Sequence, residues 1–144
     1  MRGARVADIG CGGGVVAIAA ALAGAKIVSA IDIDPRAAIV ARLNAEANGV
    51  VVNAITADAF ATPAPEADIV LAGDVAYEAV LAHRALGWLR LCRQAGCQVL
   101  VGDPGRRHLP LPELVPLAHM RVPDFGAAGD GLADAAVYRL RDAS

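Results

Sequence analysis

Hydrophobic and polar positions along the chain fall into two rhythms. Short runs rich in Val, Ile and Ala, at 5–9, 26–31, 51–56, 68–72 and 97–101, read as strands. The stretches between several of them, 15–23, 35–48 and 78–94, read as helices. Local signals mark their ends. Asp34 stands at an N-cap position with Pro35 in the first turn, and Gly49 and Gly96 sit where the second and third helices stop. Pro63 and Pro65 leave no room for a long helix between the third and fourth strands, so that crossover is short. Residues 102–105 form a turn, and 111–117 a short helix interrupted by Pro112 and Pro116. Two further strands, 120–125 and 135–140, flank the glycine-rich 126–131, which favours a hairpin or another antiparallel connection.

Five strands alternating with helical segments and then two antiparallel strands define an α/β class. The expected architecture is a Rossmann-like three-layer sandwich, with a seven-stranded, mostly parallel sheet ending in an antiparallel strand pair. In such sheets ligands bind outside the carboxyl ends of the strands, at the switch point of the strand order.

Composition narrows the function classes. The 144 residues are 56% hydrophobic and 19% charged, enough for one domain with a real core and against disorder. Only 3% are aromatic, so that core is built from Ala, Val, Leu and Ile. The net charge of −2 argues against a nucleic-acid partner, which normally calls for a basic surplus. No apolar run has the length of a membrane span, and the start of the chain lacks the shape of a signal peptide. Cys11, Cys92 and Cys97 have no paired spacing, which fits a reduced, cytoplasmic compartment and no metal site. His83, His108 and His119 make no ligand pattern.

The chemistry concentrates at strand ends. Residues 6–14, VADIGCGGG, run a strand into a glycine turn and then a helix. Glycines permit positive φ and close backbone approach, and a helix start offers free N–H groups to an anion. Two cofactor classes use this geometry. Gly12, Gly14 and Ala17 satisfy the GxGxxA of dinucleotide enzymes. Asp8, Gly10 and Gly12 satisfy the pattern of S-adenosylmethionine sites, in which an acid can receive the ammonium of an amino-acid-like cofactor. A bare strand–helix turn is the third reading. Asp32 ends the second strand 20 residues after Gly12, where an acid accepts ribose hydroxyls in either class. Asp58 follows the third strand and is placed to accept from an adenine amino group, with Phe60 near the ring. Asp74 and Tyr77, three apart after the fourth strand, suit the holding of a nucleophile beside a cofactor; the alternative is a helix cap and a packing tyrosine. VGDPGRR, 101–107, brings two arginines to another strand end, to grip an acidic group, to shape the site, or simply as a turn with solvated charges.

Three stretches then carry a resemblance: IDIDPRAAIVARLNAEANGV (31–50), GDVAYE (73–78) and VGDPGRR (101–107). Together with the glycine loop, and in this order, they resemble the class I, seven-stranded S-adenosylmethionine-dependent methyltransferases over nearly all of the chain. Within that class the chain looks most like the lysine methyltransferases of the electron transfer flavoprotein beta subunit, and more loosely like the ribosomal protein L11 methyltransferases. The resemblance implies S-adenosylmethionine as cofactor and methylation of a protein lysine, on the flavoprotein subunit or a ribosomal protein. It places Asp8, Gly10 and Gly12 around the methionine part, Asp32 at the ribose, Asp58 with Ala59 at the adenine and Gly73 beside the sulfonium. Cys11 and Ile33 complete the cofactor-binding set, and Asp74 and Tyr77 form the lysine site. Ala76 replaces the aromatic that usually precedes the tyrosine. A small-molecule methyltransferase, an NAD-dependent oxidoreductase and a non-catalytic cofactor-binding module are the rival functions. The chain 1–144 reads as one domain without the helices that precede the first strand in related enzymes. Hence either it is truncated or a partner subunit, as in a homodimer, covers the open edge.

Overall fold

The computed structural model describes residues 1–123 and 132–141. The elements are β1 (Arg5–Ile9), α1 (Val15–Leu22), β2 (Ile27–Asp32), α2 (Pro35–Ala47), β3 (Asn53–Thr56), a 3-10 turn (Ala59–Ala61), β4 (Ile69–Gly73), α3 (Ala79–Gln94), β5 (Gln98–Asp103), a second 3-10 turn (Leu111–Glu113), β6 (Leu114–Pro123) and β7 (Leu132–Leu140). They build one seven-stranded sheet in the order β3-β2-β1-β4-β5-β7-β6. The pairs from β3 through β5 are parallel, while β5–β7 and β6–β7 are antiparallel. The expected sheet is thus present.

The period-2 alternation of the strands sorts the core into two layers. Val6 of β1 and Ile69 and Leu71 of β4 face Ala17, Ile18 and Ala20 of α1 and Ala41 and Ala45 of α2. Ala7 and Ile9 of β1 and Val70 and Ala72 of β4 face Trp88, Leu89 and Cys92 of α3. Alanine on the inner faces of α1 and α2 lets both helices lie close to the sheet. At Gly14, which has φ 80, an added Cβ would lie 2.9 Å from the Ala41 Cβ, so the start of α1 packs backbone-close on α2. Asp34 caps α2 as expected, its carboxylate accepting the Arg36 N–H at 2.9 Å.

The C-terminal part departs from expectation. The helix expected at 111–117 is only the single 3-10 turn, and the chain enters β6 at Leu114, passing through Pro116. The reason is positional. Pro116 lies on the outermost strand of the sheet, next to a register shift between Pro116 and Ala118, a setting in which a strand tolerates proline. β7 starts at Leu132 rather than at 135, and the glycine-rich 126–131 lies outside the described residues.

The strand order reverses between β1 and β4. Chain connections leave β1 through α1 to one side and β4 through α3 to the other, opening a crevice above their carboxyl ends.

Candidate active site

Above β1, the backbone of Gly10, with φ 65, and that of Cys11 both donate to the Ile31 carbonyl at 2.8 and 3.2 Å. Gly12, with φ 50, donates its N–H to Asp32 Oδ2 at 2.9 Å. The other Asp32 oxygen accepts from the Asp34 N–H at 3.0 Å. The glycines expected to act as one ligand cradle therefore divide. Gly10 lines the crevice and Gly12 is tied to the acid at the end of β2, whereas Gly13 accepts a hydrogen bond from Asn44 and Gly14 packs on Ala41.

Asp8 is 1% exposed, and its Oδ2 accepts the N–H of Ala17, the third residue of α1, at 3.0 Å. Burial pushes its carboxyl up to about 7, against the lowering effect of that bond. A carboxylate accordingly sits at the helix start, where a dinucleotide enzyme would receive pyrophosphate. Burial also pushes the Cys11 thiol up to about 11, so it stays neutral and is no nucleophile near pH 7.

Two clefts meet here. The first, of about 210 Å³, is lined by Gly10, Asp32, Ile33, Asp58, Ala59, Phe60, Gly73, Asp74, Tyr77 and Arg84, among others. Asp58 opens the first 3-10 turn, accepting the Phe60 N–H at 3.1 Å through Oδ1 and the Arg84 guanidinium at 2.9 Å through Oδ2. The Arg84 hydrogen bond holds the Asp58 carboxyl below its usual range. Arg84 also stands 5.9 Å from the Phe60 ring centre. Phe60 in turn meets Trp88 edge-on at 5.9 Å, and Trp88 Nε1 donates to the Thr62 carbonyl at 2.8 Å. The aromatic pair fastens this wall to α3.

The second cleft, of about 410 Å³, is lined by Asp8, Gly10, Cys11, Val15, Val16, Gly73, Asp74 and Asp103 together with apolar residues of β6 and β7. Gly10, Gly73 and Asp74 belong to both clefts and mark their junction. Asp74 has φ 52, uncommon for a residue other than glycine, and its N–H donates to the Gly102 carbonyl at 2.8 Å. Arg106 grips its carboxylate with two bonds of 2.7 Å. Helix α3 begins at Ala79, so Asp74 is not its cap. Tyr77 is 62% exposed and lies on the first cleft only.

Of the residues singled out from sequence, Asp32, Ile33, Asp58, Ala59 and Tyr77 line the first cleft, Asp8 and Cys11 the second, Gly10, Gly73 and Asp74 both, and Gly12 neither. Sequence reasoning missed Arg84, which has no local signal because α3 brings it across to Asp58. It also missed the pairing of Arg106 with Asp74. The parallel register that sets Gly73 opposite Gly102 brings the residues beyond those strand ends together.

Sheet order, switch-point crevice and carboxylate-lined clefts define the class as the seven-stranded methyltransferase fold. The structure superposes on the ribosomal protein L11 methylase of Lactobacillus delbrueckii subsp. bulgaricus with a TM-score of 0.65 at 25% identity, covering 98% of this chain and 72% of that one. The family model of ribosomal protein L11 methyltransferase (PrmA) matches residues 1–84, and the chain belongs to that family. It is 40% identical over 144 residues to the electron transfer flavoprotein beta subunit lysine methyltransferase of Danio rerio, across 95% of this chain and 56% of that protein. To the protein of that name from Xenopus laevis it is 42% identical over 146 residues, across 96% of this chain and 59% of the relative. The ribosomal protein L11 methyltransferase of Dechloromonas aromatica is 52% identical over 67 residues, 46% of this chain and 22% of that enzyme. The chain thus spans little more than half the length of the two flavoprotein-subunit methyltransferases it matches.

Proposed function

We propose that the chain is an S-adenosylmethionine-dependent methyltransferase acting on a protein lysine. The observation that carries the cofactor is the placement of carboxylates. Asp8 closes the α1 N-terminus to an anion, and Asp32 and Asp58 line the adjoining cleft. That set repels a pyrophosphate and suits a molecule with an ammonium at one end and a ribose diol and adenine at the other. In this reading Asp8 faces the ammonium, Asp32 accepts from the ribose hydroxyls, and Asp58 with Ala59 borders the adenine. Gly10 and Cys11 flank the methionine part, Gly12 braces Asp32, Ile33 covers the ribose side and Gly73 leaves room beside the sulfonium.

The cofactor supplies an electrophilic methyl group, and transfer is an in-line displacement that depends on orientation. Asp74, at the junction of the clefts, and Tyr77, on the wall of the first cleft, orient the acceptor amine. A lysine must first lose its proton, which costs roughly 4–5 kcal/mol at pH 7 from a pKa near 10.4. Desolvation between apolar walls lowers that cost. The names of the relatives make the electron transfer flavoprotein beta subunit and ribosomal protein L11 the acceptors to try. With labelled cofactor and each purified acceptor, Asp74→Ala is expected to lose at least a hundredfold in rate and Tyr77→Phe about tenfold. Full rate in both variants would remove Asp74 and Tyr77 from the site.

A further inference from the structure

Asp103 ends β5 and is 3% exposed. Its Oδ1 accepts two backbone N–H groups, from Gly105 at 2.7 Å and from Arg106 at 2.6 Å, and so shapes the turn that carries the Arg106 side chain to Asp74. Its Oδ2 is buried and has no hydrogen-bond partner among the described residues. A buried carboxylate oxygen without a partner is costly, and the bonds of Oδ1 leave that cost in place. Asp103 lines the 410 Å³ cleft, and it also lines a neighbouring cleft of about 560 Å³ bordered by His119, Met120, Tyr138 and the ion pair of Arg121 with Asp134, 3.7 Å apart, on β6 and β7. It therefore stands where a path along the antiparallel strands joins the space beside Gly73. The register fixes that proximity, since Gly73 pairs with Gly102, the residue directly before Asp103.

The 410 Å³ cleft holds three carboxylates, Asp8, Asp74 and Asp103, and no Lys, Arg or His is among its described lining residues. Arg106 engages both oxygens of Asp74 from beside the cleft, which leaves the Oδ2 of Asp103 as the carboxylate oxygen in want of a donor. The remaining walls of the cleft include Val15, Val16, Met120, Val122 and Val137. An anion brings no donor to Asp103, whereas an alkyl stem with a cationic N–H donor at its tip finds both apolar contact and an oxygen in want of a donor. We infer that Asp103 is a second acceptor-binding carboxylate. Its Oδ2 takes a hydrogen bond from the ammonium of an alkylamine side chain that enters along β6 and β7, before the proton is lost. This rests on the methyltransferase reading above.

Asp103→Asn separates the two roles of the carboxylate. The amide oxygen can still accept from Gly105 and Arg106, while an NH2 replaces the free oxygen. The test titrates n-butylamine, with butyrate as the control, into the S-adenosylhomocysteine-saturated chain and into the ligand-free chain, followed by amide NMR. In the wild-type chain butylamine is expected to shift the Gly105 and Arg106 amide signals, and butyrate to leave them in place. Asp103→Asn is expected to weaken butylamine binding at least tenfold while its own S-adenosylhomocysteine affinity stays within twofold. Equal butylamine affinity in the two proteins, or no shift at Gly105 and Arg106 in the wild type, overturns the assignment of Asp103. Failure of the wild type to bind S-adenosylhomocysteine overturns the cofactor reading instead, and the ligand-free titration still decides on Asp103. Should Asp103→Asn not fold, the wild-type shifts carry the decision alone.

Discussion

The two halves of the crevice are built differently. On the side of β1, β2 and β3, the groups facing the cleft are held largely by backbone N–H groups and by close packing of the helix starts, with the Arg84 side chain added on Asp58. Asp32 holds Gly12 and Asp34, Asp58 holds Phe60, and Gly14 locks α1 onto α2. On the side of β4 to β7, side chains from distant segments meet only in the fold, and Asp103 is held through one oxygen alone, by the turn that follows it. Asp74 meets Arg106, and Asp103 faces a cleft walled by Met120 and Ala135. A cofactor of fixed shape suits the first kind of construction. A cleft with few internal bonds and a free carboxylate oxygen suits an acceptor that brings its own donors.

That contrast can be broken by substitution. The largest effect is expected on the rigid side. Gly14→Ala combines a left-handed φ of 80 with a Cβ placed 2.9 Å from that of Ala41. It should cost about 3 kcal/mol. In thermal unfolding the midpoint should then fall by roughly 10 °C, with S-adenosylhomocysteine affinity reduced in step. A midpoint within 2 °C of wild type, on the order of the effect of half a kcal/mol, would show the α1–α2 contact to be slack. Next comes Asp32→Ala, which removes the proposed ribose acceptor and frees the Gly12 and Asp34 N–H groups together. Binding should weaken about 30- to 100-fold by calorimetry, since hydrogen bonds to a charged group contribute about 1.5–3 kcal/mol each. An unchanged affinity would place the ribose elsewhere.

The smallest effect is a pH dependence at Asp8. Its carboxyl titrates at about 7 in the folded chain, against 3.8 ordinarily. Because the folded state holds the proton more tightly than the unfolded one, stability from this group is greatest below about pH 4 and is lost as pH rises toward 7. A cationic group bound beside Asp8 favours the ionised form and reverses that penalty. Affinity for S-adenosylhomocysteine should therefore be about tenfold higher at pH 8 than at pH 6, and Asp8→Asn should flatten the profile. A profile unchanged by Asp8→Asn would place the ammonium away from this residue.

The unequal construction also explains what could be read from the chain. The strands and helices up to β5, and the strand-end acids that line the crevice, were legible because glycine turns, caps and strand-end acids are local signals. Their alternation with apolar runs is visible without knowing the fold. Even there the glycine loop misled in part, since Gly14 answers to Ala41, which lies 27 residues away in α2 and leaves no mark near the loop. Beyond β5 local signals marked the antiparallel strand pair but not where its strands begin. The stretch 111–117 has the prolines of a broken helix, but burial of Leu114 against the α3 layer draws the chain into β6 instead. Arg84 has no local pattern, and the one around Asp103 marks only a turn. Their meaning comes from partners 26 residues away in one case and from an absent partner in the other.

On the methyltransferase reading the carboxylates of Asp8, Asp32 and Asp58 select an adenosyl amino acid over a dinucleotide. Calorimetry decides between them, with S-adenosylhomocysteine and NADH titrated separately into the same preparation at pH 7.5. S-Adenosylhomocysteine is expected to bind in the micromolar range, that is, with on the order of 8 kcal/mol, and NADH to give no heat. Binding of NADH with none of S-adenosylhomocysteine would contradict this reading.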